Sequence, residues 1–456
     1  MKRVVGPLDK RKIVSRCQAC AKRRIKCQGG VPCEYCNRTN KICSPQAVAT
    51  STNLSRQFVA YAPRQQGAAT AITLPIQVQS NDTDIYLNSF AELLYRCQFT
   101  KDFLHIGRDL LPLMHTSPAL RDLGIAIGAL DASRRASTRA CLEPDWPQCV
   151  AYRSYSRSLQ SLQLQLQTED VGTGQDVAWT TFLLGVFELM AEPSGTGFAK
   201  HMLYGTSKVL QLAGPYAHQS TLQKRLLDAF RVLEANRAIL YGDDTFLSES
   251  KWSFNNRVTT KQAAVPDPMA DIVELRIQTS RFSKQLFQIV EDTPTEKRST
   301  SSAVKALARE GTALDHRITT WNNDSLLESP ITDPFTQVSF AYYYALQLFH
   351  CRNFTYYSCW ETGTVPELSL LETNAYVAAI IDVCDKTIRA SNIPGVILLF
   401  PLRMAGAHVG FERRSKILKL LQQIYNSGFV VAETIKADLC DFWAFKELES
   451  SSKQNR

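Results

Sequence analysis

Hydrophobic residues recur at helical spacing through most of the chain beyond residue 84. In the clearest stripe the members are three or four residues apart: Tyr152, Tyr155, Leu159, Leu162 and Leu166. That spacing places all five on one face of a helix. Residues 162–167 also alternate apolar and polar positions as a strand does, but the longer helical register leaves only Leu164 on the wrong side. The pattern therefore predicts a helix.

The same periodicity predicts helices over ten further segments: 84–99, 118–132, 177–191, 199–213, 221–241, 269–290, 302–321, 335–351, 371–391 and 412–427. Breaks fall at residues 193–195, 214–215, 266–268 and 292–302, where proline, glycine or polar residues cluster. We expect a last amphipathic helix over 438–449. These elements predict a large all-α domain at residues 84–456.

The most apolar stretch, residues 393–411, is interrupted by Pro394, Pro401, Arg403 and His408. A membrane-spanning helix needs about 20 largely uninterrupted apolar residues. This stretch therefore predicts a broken core segment, and we expect no membrane contact.

The helical pattern is absent from residues 44–83. Their first 37 residues are rich in Ser, Thr, Ala, Gln and Pro, with Arg56 and Arg64 as the charged residues. Pro63, Gly67 and Pro75 interrupt the stretch, and no a/d pattern runs through three heptads. The composition predicts a flexible linker without an evident coiled coil.

Six cysteines lie ahead of this linker in the pattern C-x2-C-x6-C-x5-C-x2-C-x6-C, which repeats one half-motif: Cys17, Cys20, Cys27, Cys33, Cys36 and Cys43. Zinc takes four ligands, and thiolates suit it. Six thiolates serve two zinc ions only if two of them bridge both metals. Disulfides are the alternative, but the basic residues 1–16 contain no apolar run typical of a secretion signal. The spacing therefore predicts a two-zinc module at residues 17–43, with two short helices and loops.

The positive charge of the chain is concentrated around these cysteines. Residues 1–43 contain 12 Lys or Arg and 2 acidic residues, a net charge of +10, whereas the other 413 residues have a net charge of −1. Two zinc ions and six thiolates together contribute −2, which leaves about +8 on the metal-loaded module. Such a field attracts phosphate and favours a nucleic-acid partner.

The cysteine spacing, the basic run at residues 22–26 and Pro32 before Cys33 resemble the fungal binuclear zinc-cluster transcription factors. The resemblance implies that Cys17 and Cys33 bridge the metals, and that the helix after the second cysteine reads a CGG-like triplet in the major groove through Arg23 and Arg24. The guanidinium fork of Arg matches O6 and N7 of guanine. Ala21 stands where the family commonly has Arg, which removes one expected backbone contact.

Other basic residues are expected to bind phosphates. Lys22 and Lys26 flank the reading pair, and Lys12 and Arg16 lie in the basic arm formed by residues 1–16. The same basic stretches are typical of nuclear import signals, so we expect the protein in the nucleus.

The helical region resembles the fungal-specific transcription factor regulatory domain. The likeness is carried by short segments at residues 152–156, 183–188, 200–205, 214–215 and 401–406. Motifs typical of enzymes, such as H-E-x-x-H, G-x-S-x-G or a Walker loop, do not occur. His201 and His408 are interpreted as packed core residues, the cysteines outside the motif as buried inert thiols, and Glu188 as a paired carboxylate rather than an effector ligand.

The sequence therefore predicts a DNA-binding regulator of RNA polymerase II transcription rather than an enzyme. Its expected partners are double-stranded DNA and transcription coregulators. Two alternatives stay open for binding, a homodimer through the helical domain or a monomer on a single triplet, and a small-molecule effector is a further hypothesis. Activation and repression remain open. The alternative from another class is a metal-sensing or redox-sensing protein that uses the same thiolates for exchange chemistry.

Overall fold

Helices account for nearly all of the chain that the structure describes. The computed structural model describes residues 33–39, 43–44, 78–136, 146–167, 174–217, 220–253, 267–328, 333–361 and 363–454. The chain divides into two compact units, Met1–Pro75 and Ile76–Arg456. In the first unit the described residues form one short helix, α1 (Glu34–Arg38).

The described part of the second unit contains α-helices, short 3₁₀ turns and a π-helical segment but no strand. Its first helices are α2 (Val78–Arg96), α3 (Ile106–Thr116), α4 (Pro118–Ala136), α5 (Trp146–Gln165), α6 (Gln175–Ala191), α7 (Thr196–Lys200), α8 (Ser207–Ala213) and α9 (Thr221–Tyr241). The later helices are α10 (Pro268–Asp292), α11 (Ser302–Glu328), α12 (Pro334–Thr355), α13 (Leu370–Ala390), α14 (Leu399–His408), α15 (Phe411–Asn426) and α16 (Ala432–Gln454). The predicted large all-α domain is confirmed.

Helix α5 confirms the helix predicted from the hydrophobic stripe, although Tyr152 and Leu166 at the two ends of the stripe are 43% and 48% exposed. Leu162 is 6% exposed, whereas Leu164, which the helical register placed on the wrong side, is 66% exposed. Ends of helices also follow the sequence signals. Ser220 and Ser369 form capping boxes with Gln223 and Glu372. These contacts supply partners for amide groups that the first helical turn leaves unbonded.

Three features lie outside the predicted pattern. Helix α2 begins at Val78, ahead of residue 84, where the periodicity placed the start of the helical domain. A 3₁₀ turn (Lys101–His105) leads into α3, which no predicted helix covered. A π-helical segment (His201–Thr206) joins α7 to α8 within the stretch predicted as one helix. Alternate hydrogen-bond registers of this kind leave little trace in hydrophobic spacing.

Helices α6 and α12 lie in the core and are buried on almost every side. Nearly all residues from Val177 to Met190 are buried, as are most residues of α12. A helix that is apolar all round is expected in the interior rather than at the surface. The broken apolar segment also packs inside, because Ile397, Phe400 and Leu402 are fully buried. None of the described helices is long and apolar enough to cross a membrane.

The last helix packs against the core through one face, as predicted for an amphipathic helix. Leu439 and Trp443 are buried, and the indole Nε1 of Trp443 donates to the carbonyl of Gly406 at 2.8 Å. Phe445 and Leu448 lie on the solvent side.

Buried charges join α9 to α10 and to the loop after α9. Arg231 bonds Glu274, and Arg237 bonds Glu234 through two nitrogens at 2.9 and 2.8 Å. Arg276 is also fully buried, but its guanidinium lies 3.9 Å from the ring centroid of Tyr342 and bonds the amide oxygen of Asn236 rather than a carboxylate. Burial lowers the pKa of Arg276.

Candidate metal centre

Three of the six motif cysteines lie together in the described part of the first unit. Cys33 immediately precedes α1, and its carbonyl accepts the amide N–H of Asn37 at 3.0 Å, which closes the first turn of the helix. Cys36 follows one turn later, so the C-x2-C spacing places both sulfur atoms at the same end of the helix. Cys43 returns to them, and its Sγ accepts the amide N–H of Cys33 at 3.2 Å.

The sulfur atoms of Cys33, Cys36 and Cys43 all lie within 4.8 Å of one another. In a tetrahedral site with Zn–S bonds of about 2.3 Å, two sulfurs are separated by about 3.8 Å. The three thiols therefore need to approach by no more than about 1 Å to share one metal ion. Cys33 and Cys36 are buried, and the amide donor to Cys43 stabilises negative charge on its sulfur. The donor set fits zinc, but three sulfurs leave the fourth ligand to be supplied from elsewhere.

The other predicted site residues lie outside the described residues. They are the cysteines of the first half-motif, Cys17, Cys20 and Cys27, and the predicted DNA contacts Lys12, Arg16, Lys22, Arg23, Arg24 and Lys26. The structure thus brings together the second half of the motif, and the six-cysteine cluster with its two zinc ions stays a prediction.

A second polar cluster, which the sequence did not assemble, lies in the helical unit. The hydroxyl of Tyr155 on α5 donates to Oε1 of Glu188 on α6 at 2.5 Å and lies 3.1 Å from Nε2 of His201. Since the one hydroxyl proton goes to Glu188, Nε2 of His201 must donate its own proton for the second contact to be a hydrogen bond. Burial raises the pKa of Glu188 and lowers that of His201.

This cluster confirms Glu188 as a paired carboxylate, whereas His201 is only partly buried and is not a core residue. Tyr155 also stacks on Phe187 with ring centroids 4.5 Å apart, which fixes the position of its hydroxyl. Gly197 allows the close approach, because a Cβ there would lie 2.4 Å from Oε2 of Glu188. The arrangement links three helical segments through side-chain contacts of Tyr155, Glu188 and His201.

Two further histidines make local hydrogen bonds: His408, which was predicted as a core residue but is only partly buried, and His350, which is buried. Nδ1 of His408 lies 3.0 Å from the carbonyl of Met404, and burial lowers the pKa of His408. His350, fully buried, has Nε2 2.9 Å from the carbonyl of Gly311. These imidazoles serve packing and local hydrogen bonding.

The cysteines outside the motif agree with the prediction only in part. Cys97 and Cys351 are buried, and burial raises the pKa of each thiol to about 12. Cys384 is also buried, and its pKa is raised for the same reason. Cys149 and Cys440, however, are exposed, so the prediction of buried thiols is wrong for them. They lie on solvent faces of α5 and α16, where single cysteines left no spacing signal to read.

Comparison with known proteins identifies the helical unit. The family model described as fungal specific transcription factor domain matches residues 84–450, well over half of the chain. The chain belongs to this family. No curated protein and no solved structure matches the chain.

Membership in the fungal-specific transcription factor domain family makes the protein a transcription regulator. The resemblance predicted from short helical segments is thereby confirmed for the helical domain. The match begins at residue 84 and does not include the cysteine motif, so the zinc-cluster assignment depends on the spacing of the six cysteines and on the geometry of three of them.

Proposed function

We propose that the protein is a sequence-specific DNA-binding regulator of RNA polymerase II transcription, whose six motif cysteines hold two zinc ions. The observation that carries the proposal is the approach of the Cys33, Cys36 and Cys43 sulfurs to within 4.8 Å in a chain whose helical domain belongs to a transcription factor family. The duplicated spacing supports a matching site in the first half. Two bridging thiolates complete four sulfurs around each metal.

In this proposal zinc supplies no chemistry beyond holding the two short helices in place. Zinc binding to thiolates contributes folding free energy directly, since such modules are too small to have a core of their own. The chain's own residues then bind DNA. Arg23 and Arg24 are proposed to contact guanines of a CGG-like triplet, while Lys12, Arg16, Lys22 and Lys26 bind phosphates.

The charge distribution supports assigning DNA binding to the N-terminal module. Residues 1–43 have a net charge of +10 and the remainder −1, so binding to phosphate is expected to reside in the N-terminal module. Each phosphate contact contributes roughly −0.9 to the slope of log affinity against log salt concentration. We expect DNA binding to weaken steeply with salt and the isolated helical domain to contribute little.

The proposed location is the nucleus, and the proposed partners are double-stranded DNA and transcription coregulators. Because the sequence of residues 44–83 has no heptad pattern, a homodimer is proposed to form through the helical domain. The protein otherwise binds a single triplet as a monomer.

Zinc content tests the metal assignment. The purified full-length protein is expected to contain two zinc ions per chain, and Cys36→Ser is expected to lower that number. Cys440→Ser is the matched control, because Cys440 is exposed on α16 and lies outside the motif. Equal zinc content in the Cys36→Ser variant and the unmodified protein would contradict the assignment of Cys36 as a zinc ligand.

Base reading is tested separately with Arg24→Ala. The variant is expected to keep its zinc but to lose discrimination between specific and random duplexes, because the guanine contact supplies about 1–3 kcal/mol of preference. Unchanged discrimination would contradict the role of Arg24.

The sensor alternative makes a different prediction for the same thiolates. A redox sensor loses zinc at physiological oxidant concentrations, whereas a structural cluster retains both ions. Retention of two zinc ions per chain after such treatment excludes the sensor.

A further inference from the structure

A cleft of about 430 Å³ opens between four helices of the second unit. Its lining residues are Thr83 on α2, Met114 and His115 on α3, Pro118, Arg121, Asp122 and Ile125 on α4, and Arg157 on α5. Small-molecule sites in proteins commonly have volumes of about 300–1,000 Å³. The cleft is therefore large enough for a compact metabolite.

Two of the side chains that line the cleft, Met114 and Ile125, are apolar and buried. Met114 and Ile125 are each 5% exposed, whereas Pro118 beside them is exposed. A polarizable thioether next to an aliphatic side chain suits a flat apolar or aromatic group, since sulfur makes favourable contacts with ring edges. These two side chains therefore offer an apolar contact to part of a ligand.

Cationic side chains lie at the mouth of the cleft. Nη2 of Arg157 donates to Asp122 Oδ1 and to Ser154 Oγ, each at 3.1 Å. These two contacts hold the guanidinium in place, while half of the Arg157 side chain stays exposed. Within the described residues no contact engages its Nε or Nη1. A guanidinium fixed in this way loses less conformational entropy when a ligand binds.

Arg121 supplies a second guanidinium that has no internal partner. It is exposed, and among the described residues its side chain makes no ion pair or hydrogen bond. His115 is likewise exposed and without a polar contact in that part of the chain. The one lining carboxylate, Asp122, already binds Arg157. The mouth of the cleft thus keeps a net positive charge. Among the described residues, no protein acceptor bonds the guanidinium of Arg121 or the ring of His115.

We propose that this cleft binds a small molecule that combines an apolar body with one oxyanion group, either a carboxylate or a phosphate monoester. The guanidinium groups of Arg121 and Arg157 pair with the oxyanion, since their forks match both groups bidentately. The apolar body lies against Met114 and Ile125. Such a ligand is the effector of the transcription regulator, an assignment that rests on the proposed function.

Calorimetric titration of the full-length protein with three probes of similar shape tests the site. Benzoate and phenyl phosphate carry the two oxyanions, and benzamide is their neutral counterpart. At least one anion is expected to bind with a Kd below about 1 mM and at least about tenfold more tightly than benzamide, because a charge-assisted hydrogen bond is lost in the neutral probe. The anion that binds more tightly distinguishes a carboxylate ligand from a phosphate ester.

Variants then assign the binding to the cleft. Arg121→Gln is expected to weaken the better anion at least about tenfold. Arg153→Gln is the control, because Arg153 is exposed on the same helix as Arg157 but does not line the cleft. Both side chains are exposed, so both variants are expected to keep the unfolding temperature of the unmodified protein.

Benzamide binding as tightly as the better anion would overturn the proposal, and so would full affinity for that anion in the Arg121→Gln variant. Zinc content and duplex binding are measured on the same preparation. If the protein contains two zinc ions and binds DNA selectively but binds none of the three probes, the proposed effector site is refuted and the proposed function is not.

Discussion

Arg237→Met tests how much the buried charges between α9 and the following loop contribute to stability. Arg237 and Glu234 are each 1% exposed, and the guanidinium makes two hydrogen bonds to the Glu234 carboxylate at 2.9 and 2.8 Å. It also bonds Asp243 at 3.2 Å and the carbonyl of Asp244 at 3.1 Å. Methionine keeps the apolar stem but removes every one of these donors.

The magnitude follows from what remains after the substitution. Glu234 keeps its burial but loses the cation that compensates its charge, and an uncompensated buried charge costs about 3–5 kcal/mol. Asp243 is affected less, because it is 28% exposed and retains Lys284 at 3.0 Å. We therefore expect Arg237→Met to lower the free energy of unfolding by about 3–5 kcal/mol.

A second substitution separates loss of the pair from loss of packing. In the double variant Arg237→Met/Glu234→Met no buried charge is left unpaired, and replacing a buried pair by apolar residues is often neutral or stabilising. The double variant is therefore expected to recover most of the loss. Arg389→Met is the control, since Arg389 pairs with Asp385 while 61% exposed and should change stability by less than about 1 kcal/mol.

Urea unfolding of the full-length protein, followed by far-ultraviolet circular dichroism, measures these differences in the first cooperative transition. The reasoning is refuted if the double variant is as unstable as Arg237→Met alone, since packing rather than charge would then explain the loss. It also fails if Arg237→Met and Arg389→Met have equal, small effects.

Two further predictions concern the core of the helical domain. Burial lowers the pKa of His350 to about 4 from 6.5, so the unfolded chain gains a proton that the folded chain excludes as the pH falls through this range. The free energy of unfolding should therefore decline by about 3 kcal/mol between pH 6.5 and 4. The urea midpoint should fall less steeply with pH for His350→Gln than for the unmodified protein. Equal pH dependence of the two urea midpoints would contradict this role of His350. Gly128→Ala should destabilise by at least about 1–3 kcal/mol in thermal unfolding, because its Cβ would lie 1.9 Å from the backbone oxygen of Tyr86. Gly107→Ala, whose Cβ finds neighbours no closer than 3.8 Å, should be neutral or stabilising, and equal effects of the two alanines would exclude a close helix approach at Gly128.

Local rules predicted much of the helical domain. The face of α5 was predictable because Leu162 and Leu164 differ by two positions and cannot share one helix face. Ser369 and Glu372 are three residues apart, which is the spacing of a capping box. Gly242, in the left-handed region at φ 63°, ends α9 where the predicted helix also stops.

Contacts between distant segments could not be predicted in this way. Tyr155 meets Glu188 and His201 across 33 and 46 residues, and hydrophobic spacing does not record which helices become neighbours. Arg276 was equally unexpected, because a charged residue inside an amphipathic pattern is normally assigned to the surface. Its burial between Tyr342 and Phe400 depends on the packing of three helices.

The candidate metal centre, in contrast, brings together residues that the sequence did predict as neighbours. Cysteine spacing alone predicted that Cys33, Cys36 and Cys43 share a metal, and the structure places their sulfurs within 4.8 Å. This was predictable because metal ligation imposes a spacing that packing does not. The cleft between α2, α3, α4 and α5 left no such signal, since its lining residues come from four separate helices.

Selection of bound duplexes from a random pool, using the zinc-loaded full-length protein, tests the central claim most directly. We predict enrichment of a CGG-like triplet that disappears when a chelator removes the zinc. One triplet indicates a monomer, and two at a fixed spacing indicate a dimer. A pool without sequence enrichment, or the same enrichment after zinc is removed, would contradict the account.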